Sequence, residues 1–189
     1  SYCLFGSKKH LMNELFENKS YPFYKFGDAI YLQKIGTQDW VEYICNRFSV
    51  TGKQISEQLA ERISQAVDNH SSYVQQLAWL VWIHTDKIAT EKDFESAYQD
   101  IIDQNTPLFE KQTESLTTYQ MNFLRAVLDG VHSEFTKQEI LNKYQLGTSA
   151  NISIVKRALE KKELIEIEKR KIIIPDPIMS VWLKRELGI

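Results

Sequence analysis

The residues from Thr148 to Ile172 hold the densest set of side chains able to do chemistry. Seven bases (Lys156, Arg157, Lys161, Lys162, Lys169, Arg170 and Lys171) stand against four acids (Glu160, Glu163, Glu166 and Glu168), a net +3 in a chain whose formal charge is −2. The overall charge supplies no general attraction to nucleic acid or anionic lipid, so any such contact must come from a local patch like this one. With Ile152, Val155 and Leu159 at helical spacing turned to a core, Ser149, Asn151, Ser153 and Lys156 are read as pointing outward, as a helix entering a nucleic-acid groove requires. Lys169, Arg170 and Lys171 form a basic tip that could meet phosphates. The interleaved glutamates repel a phosphate backbone. Nucleic-acid contact and protein contact both stay open.

Other chemistries lack their residues. No GxxxxGK[ST] run occurs, nor an apolar strand ending in paired acids. The backbone amides and the Lys that cradle phosphates, and the acid that holds magnesium, are therefore wanting, and this segment alone is not expected to hydrolyse ATP. No Gly-x-Ser-x-Gly elbow is present, and His10, His70, His84 and His132 are scattered. Cys3 and Cys45 have no CxxC and no His pair for a metal, so both are expected to be buried structural thiols in a reducing compartment. Glu57 and Glu61 read as solvated helix surface. The run around "LAWLVWI" is far short of the roughly 20 residues a membrane span needs. No secretory signal is evident. A cytoplasmic protein without membrane contact is expected.

The elements that must position these residues are mainly helical. Residues 2–5 read as an apolar strand, Gly6 as its turn, Ser7 as the opening of the helix "SKKHLMNELFEN", and Ala29–Ile35 as a second strand. Such a strand, helix and strand would belong to a larger parallel sheet, and this predicts a core lying upstream. From Thr37 the period is helical. Stripes at Val41, Ile44, Cys45 and Phe48, then at Ile55, Leu59, Ile63 and Val67, precede "YVQQLAWLVWI", apolar nearly all round and so expected to be the most buried helix. Thr90 and Asp93 open a further helix, whose stretch 90–116 has seven acids against two lysines. Thr117 with Gln120, and Thr136 with Glu139, read as capping boxes of two more. "TSANISIVKRALEKKE" restarts a helix at once, and "LIEIE", "KRK" and "IIIP" follow as a hairpin. Helix, helix, helix, hairpin is the order of a winged helix. Asp176 and Pro177 then cap a closing helix. The fold class read here is mainly α: a short α/β segment at 1–36, a helical unit at 37–115 and a winged helix at 116–189.

Three stretches, "CLFGSKKHLMNELF", "YVQQLA" and "IPDPIMSVWLKREL", together resemble the C-terminal portion of the archaeal-type P-loop ATPases of the AAA+/STAND group. That family also occurs in bacteria, notably as paralogous sets in gut Bacteroidetes. The resemblance covers essentially the whole chain. It implies an ATPase core ending near residue 36, a helical lid and a regulatory winged helix, with ATP and Mg bound by the parent protein and none expected on this segment alone. Ser7 falls where the family's core strand carries its polar γ-phosphate sensor; the plainer reading is that it caps its helix. "DNHSSYVQQL" occupies the place of a Gly-x-Pro motif near the adenine. Asn69 and Ser71 depart from that motif while His70, Tyr73 and Gln75 fit it better, so His70 and Tyr73 are the implied nucleotide-side residues; read from the residues alone, His70 is a plain surface or capping residue. Trp182 is read as packing. The implied partners are the missing N-terminal P-loop core and, through the winged helix, a protein or DNA. The alternative is a stand-alone winged-helix transcription regulator.

Overall fold

The computed structural model describes residues 6, 12, 15–28, 30–168 and 170–189. The strand read at 2–5, Cys3, Ser7 and Lys169 lie outside the described residues. Two compact units are present, residues 1–33 and residues 34–189.

In the first unit, Met12 and residues 15–17 are helical, as the reading of "SKKHLMNELFEN" predicts. The chain then turns back on itself, the Lys25 N–H donating to the Phe16 carbonyl at 2.9 Å. Phe23 packs between Phe16 and Phe26, at 6.1 and 6.2 Å between ring centroids. The expected strand at Ala29–Ile35 does not form over its described part. Residues 30–35 form no strand, with Ile30 84% and Leu32 92% exposed. A β-rich run is only a strand where a neighbour accepts its ladder, and none among the described residues does.

The second unit is built on one continuous apolar cluster. Helix α1 (Thr37–Val50) buries Trp40, Val41, Ile44 and Phe48, and α2 (Glu57–Ala66), N-capped by the Ser56 hydroxyl, buries Leu59 and Ile63. Cys45 is only half-buried; desolvation, with Glu57 adding, still pushes its thiol above the ordinary range. Helix α3 (Ser71–His84) buries Val74, Leu77, Ala78, Leu80 and Val81. It is not buried all round, because Trp79 and Ile83, one turn apart, are 56% and 47% exposed. Its composition overstated its burial. Helix α4 (Glu91–Thr113) begins with the full Thr90–Asp93 capping box, packs along α3, and continues past an internal Pro107.

Helix α5 (Thr118–Leu128) opens on the Thr117–Gln120 capping box and turns Phe123, Leu124, Ala126 and Val127 inward. The second predicted box does not form. Helix α6 (Gln138–Lys143) is N-capped by Lys137 without a side-chain bond, so Thr136 and Glu139 are one residue out of register for it. Helix α7 (Ser149–Lys161) buries Ile152, Val155 and Leu159 as read. Strands β1 (Glu166–Glu168) and β2 (Lys171–Ile173) pair antiparallel with Glu166 opposite Ile173, Ile167 opposite Ile172 and Glu168 opposite Lys171. The Ile172 N–H donates to the His132 carbonyl at 2.8 Å, which lays the α5–α6 connection along β2. Helix α8 (Pro177–Leu187) is capped by the Asp176 carboxylate, begins with proline and ends on left-handed Gly188. It returns to pack on both α4 and α5.

Candidate functional site

The turn before α3 and the first turns of α1 form a corner of unusual backbone. Asp68 and Asn69 both have positive φ, 49° and 53°. Lys34 Nζ meets Asp68 Oδ2 at 2.5 Å, and the Asn69 amide donates to Thr37 Oγ1 at 3.1 Å. His70 is the N-cap of α3 and Ser71 its first residue. Both residues suit their places: Asn69 is left-handed, a conformation Asn tolerates better than most, and Ser71 stands at the first helical position.

Two polar atoms at this corner are buried with no hydrogen-bond partner among the described residues, His70 Nδ1 and Trp40 Nε1. Buried polar groups are nearly always satisfied, so two orphans on neighbouring elements mark a place where a polar group from outside could be accommodated. Beside them a cavity of about 270 Å³ is lined by Ile35, Asp39, Trp40, Tyr43 and Gln75. Trp40 and Tyr43 meet edge to face at 5.8 Å. Trp40, Tyr43 and Asp39 were not singled out from sequence, and only its unpaired indole N–H distinguishes Trp40 from its core neighbours.

Tyr73 is placed differently from a ligand-facing residue. Its ring lies 4.9 Å from that of His70, but its hydroxyl donates to Asp176 Oδ2 at 2.7 Å. Asp176 Oδ1 simultaneously accepts from the Met179 N–H at 2.9 Å, so one carboxylate caps α8 and anchors it to α3. Burial, then the Asp176 bond, push the Tyr73 phenol well above the ordinary tyrosine range. A phenol whose folded pKa is raised stabilises the fold fully below its unfolded value of about 10, and this contribution is lost as pH climbs beyond it. Tyr73→Phe is therefore expected to cost about 1 kcal/mol at neutral pH and to flatten the fall of stability above pH 10. Urea titrations at pH 7 and at pH 10 to 11 check it; an unchanged alkaline slope would deny Tyr73 this role.

On the winged helix, the outward stripe of α7 is Ala150, Ser153, Ile154, Arg157 and Lys161, all exposed, with Ile154 68% exposed at its centre. Ser149 is exposed at the helix start, whereas Asn151 and Lys156 are half-buried. The Asn151 amide donates back to the Leu146 carbonyl at 3.1 Å. At about 100° per residue, positions 150, 154, 157 and 161 lie opposite the 152–155–159 core line, while 151 and 156 flank it. That arithmetic would have found Ile154 and Arg157. Arg170, at φ 69°, and Lys171 are exposed at the wing, as are Glu166 and Glu168 of β1. No cluster of three or more metal-ligating residues occurs among the described residues, and no described helix is long and apolar enough to cross a membrane.

A mainly helical chain closed by a winged helix is thus defined, and residues 107–185 match the family described as a probable winged helix domain. In fold the chain is similar to the Walker-type ATPase PABY2304 of Pyrococcus abyssi, with a TM-score of 0.68 and 16% identity, over 95% of this chain and 51% of that one. The chain therefore spans about half the length of the ATPase it matches. No curated protein matches its sequence.

Proposed function

We propose that this segment is the lid and regulatory winged helix of an ATP-binding P-loop ATPase of the AAA+/STAND type, acting in the cytoplasm and coupling nucleotide state to a protein or DNA contact. The observation that carries the reading is the likeness to a Walker-type ATPase over nearly the whole of this chain but only half of that one. In this reading the other half supplies the P-loop, Mg and the hydrolytic chemistry, and Ser7 stands at its γ-phosphate sensor. His70, with its unpaired Nδ1, would lie on the nucleotide side of the lid. Tyr73 links that side to Asp176, the cap of the last winged-helix element. A nucleotide that displaces the His70 ring would thus press on a tyrosine bonded to α8.

The test is titration of the full-length polypeptide with a fluorescent ATP analogue and Mg. His70→Ala is expected to weaken binding about tenfold, roughly the worth of one good hydrogen bond to a ligand. A full-length polypeptide that binds no nucleotide would end the reading, and equal affinity and turnover in Ser7→Ala would remove Ser7 from it. The stand-alone transcription regulator keeps one observation in its favour, the exposed Arg157, Lys161, Arg170 and Lys171. Salt-dependent DNA binding lost on neutralising Lys169, Arg170 and Lys171 would support it; no binding at low salt would end it.

A further inference from the structure

Two exposed apolar spots on the second unit lie on faces of opposite charge. The first is the pair Trp79 and Ile83, one turn apart on the outer line of α3. Two cross-helix contacts lay α4 beside that line: the Gln76 side-chain amide donates to Gln104 Oε1 at 3.2 Å, and His84 Nε2 stands 2.7 Å from Asp100 Oδ2. The seam between the two helices therefore has an apolar rim, Trp79 and Ile83, and an acidic one, Asp100 and Asp103. Glu110 and Glu114 continue the exposed side of α4, and the stretch 90–116 holds seven acids against two lysines. The second spot is Ile154, at the centre of the outward line of α7, followed one and two turns on by the exposed Arg157 and Lys161. Positions 150, 154, 157 and 161 carry no acid, and Glu160 falls to one side of them.

We infer that these two faces are each other's partner: α7 of one copy lies along the α3–α4 seam of a second copy. Ile154 is then covered by Trp79 and Ile83, while Arg157 and Lys161 face Asp100 and Asp103. An apolar centre with a charged border is the usual anatomy of a protein contact, the border choosing the partner by sign. The spacing agrees, since Arg157 and Lys161 stand about 6 Å apart along their helix axis and Asp100 and Asp103 about 4.5 Å along theirs. A nucleic acid would pair the same two cations but leave Trp79, Ile83 and the acids of α4 uncovered, whereas one contact between copies covers both faces. Because the two faces are different patches of one chain, the contact runs head to tail and repeats from copy to copy. It names a partner for the winged helix, which the ATPase reading leaves open, and stands on these faces alone; its failure would leave that reading untouched.

The experiment is sedimentation velocity of the full chain over a wide range of concentration and salt. The unaltered chain is expected to form species larger than the monomer that decline as salt is raised. Trp79→Asp and Ile154→Asp, both at exposed positions, should each weaken self-association at least about tenfold with the helical circular dichroism retained. Mixed in equal amounts, the two variants should form a one-to-one pair, since each keeps the face that the other lacks. A chain that stays monomeric up to about 100 μM, self-association that survives both substitutions, variants that do not pair on mixing, or a DNA duplex that occupies Arg157 and Lys161 while the copies stay apart would each overturn the assignment.

Discussion

Phe109→Ala is expected to remove about 3–5 kcal/mol of stability, the usual cost of deleting a large aromatic from a packed interior. Phe109 is fully buried near the end of α4, and its ring packs on Trp182 of α8 at 5.7 Å and 46°. No rearrangement can refill the space cheaply, because α8 is fixed on either side of the contact. At its start Asp176 is held by Tyr73, and near its end Arg185 Nη1 donates to Gln99 Oε1 at 2.8 Å. Pro107, two residues earlier, already leaves the Asp103 carbonyl without its helical donor, so this stretch of α4 relies on side-chain packing more than on its own backbone. Since α4 serves both the four-helix part and the winged helix, the loss should appear in both. Urea unfolding followed by far-ultraviolet circular dichroism and by tryptophan emission should give one coincident transition, shifted as a whole. A loss under 1 kcal/mol, or two transitions of which only one moves, would mean that the two parts do not share a core.

That shared core was the part of the fold least legible in sequence. Periodicity located α1, α2, α4 and α7 because each buries one stripe: Leu59 and Ile63, Phe94 and Ala97, Ile152 and Val155 are all interior. Local chemistry located Thr90, Thr117 and Asp176, since a cap needs only its own helix. Thr136 was misread for the complementary reason. A capping box requires the chain to enter the helix at that residue, and the Phe135 ring, stacked on Phe123 at 4.3 Å, holds the approach one residue further on. Nor could composition tell that α3 keeps Trp79 and Ile83 in solvent. Which side of an almost wholly apolar helix faces out depends on its neighbours.

The site divides along the same line. His70 could be read as a cap, because helix position is a local property. The Tyr73–Asp176 bond spans 103 residues, and neither side chain announces it. The unpaired atoms of His70 and Trp40 are likewise a product of packing, visible only once their surroundings are known. On α7 the sequence held the answer, and angular bookkeeping rather than hidden information separates Asn151 and Lys156 from Ile154 and Arg157.

Lys53→Met should lower stability by about 2 kcal/mol, far more than a surface lysine contributes. The ammonium group donates to the Trp82 carbonyl at 2.7 Å and the Thr85 carbonyl at 2.5 Å, and lies 4.2 Å from the centroid of the Trp82 ring. It therefore occupies the C-terminal end of α3, where a cation is favoured by the helix dipole and where the last carbonyls lack helical donors. The same place is braced by Trp82 Nε1, which donates to Thr51 Oγ1 at 2.8 Å, and by the parallel bridge between Gln54 and Ile88. Methionine keeps the stem and its packing, so the loss isolates the hydrogen bonds and charge. Thr85 is 2% exposed, which leaves its carbonyl little access to replacement water. Hydrogen exchange at the end of α3 should quicken in the variant together with the fall in denaturation midpoint. If the midpoint moves by less than a fifth of that expected for 2 kcal/mol, the carbonyls are satisfied without Lys53 and the connection from α1 to α2 does not fasten α3.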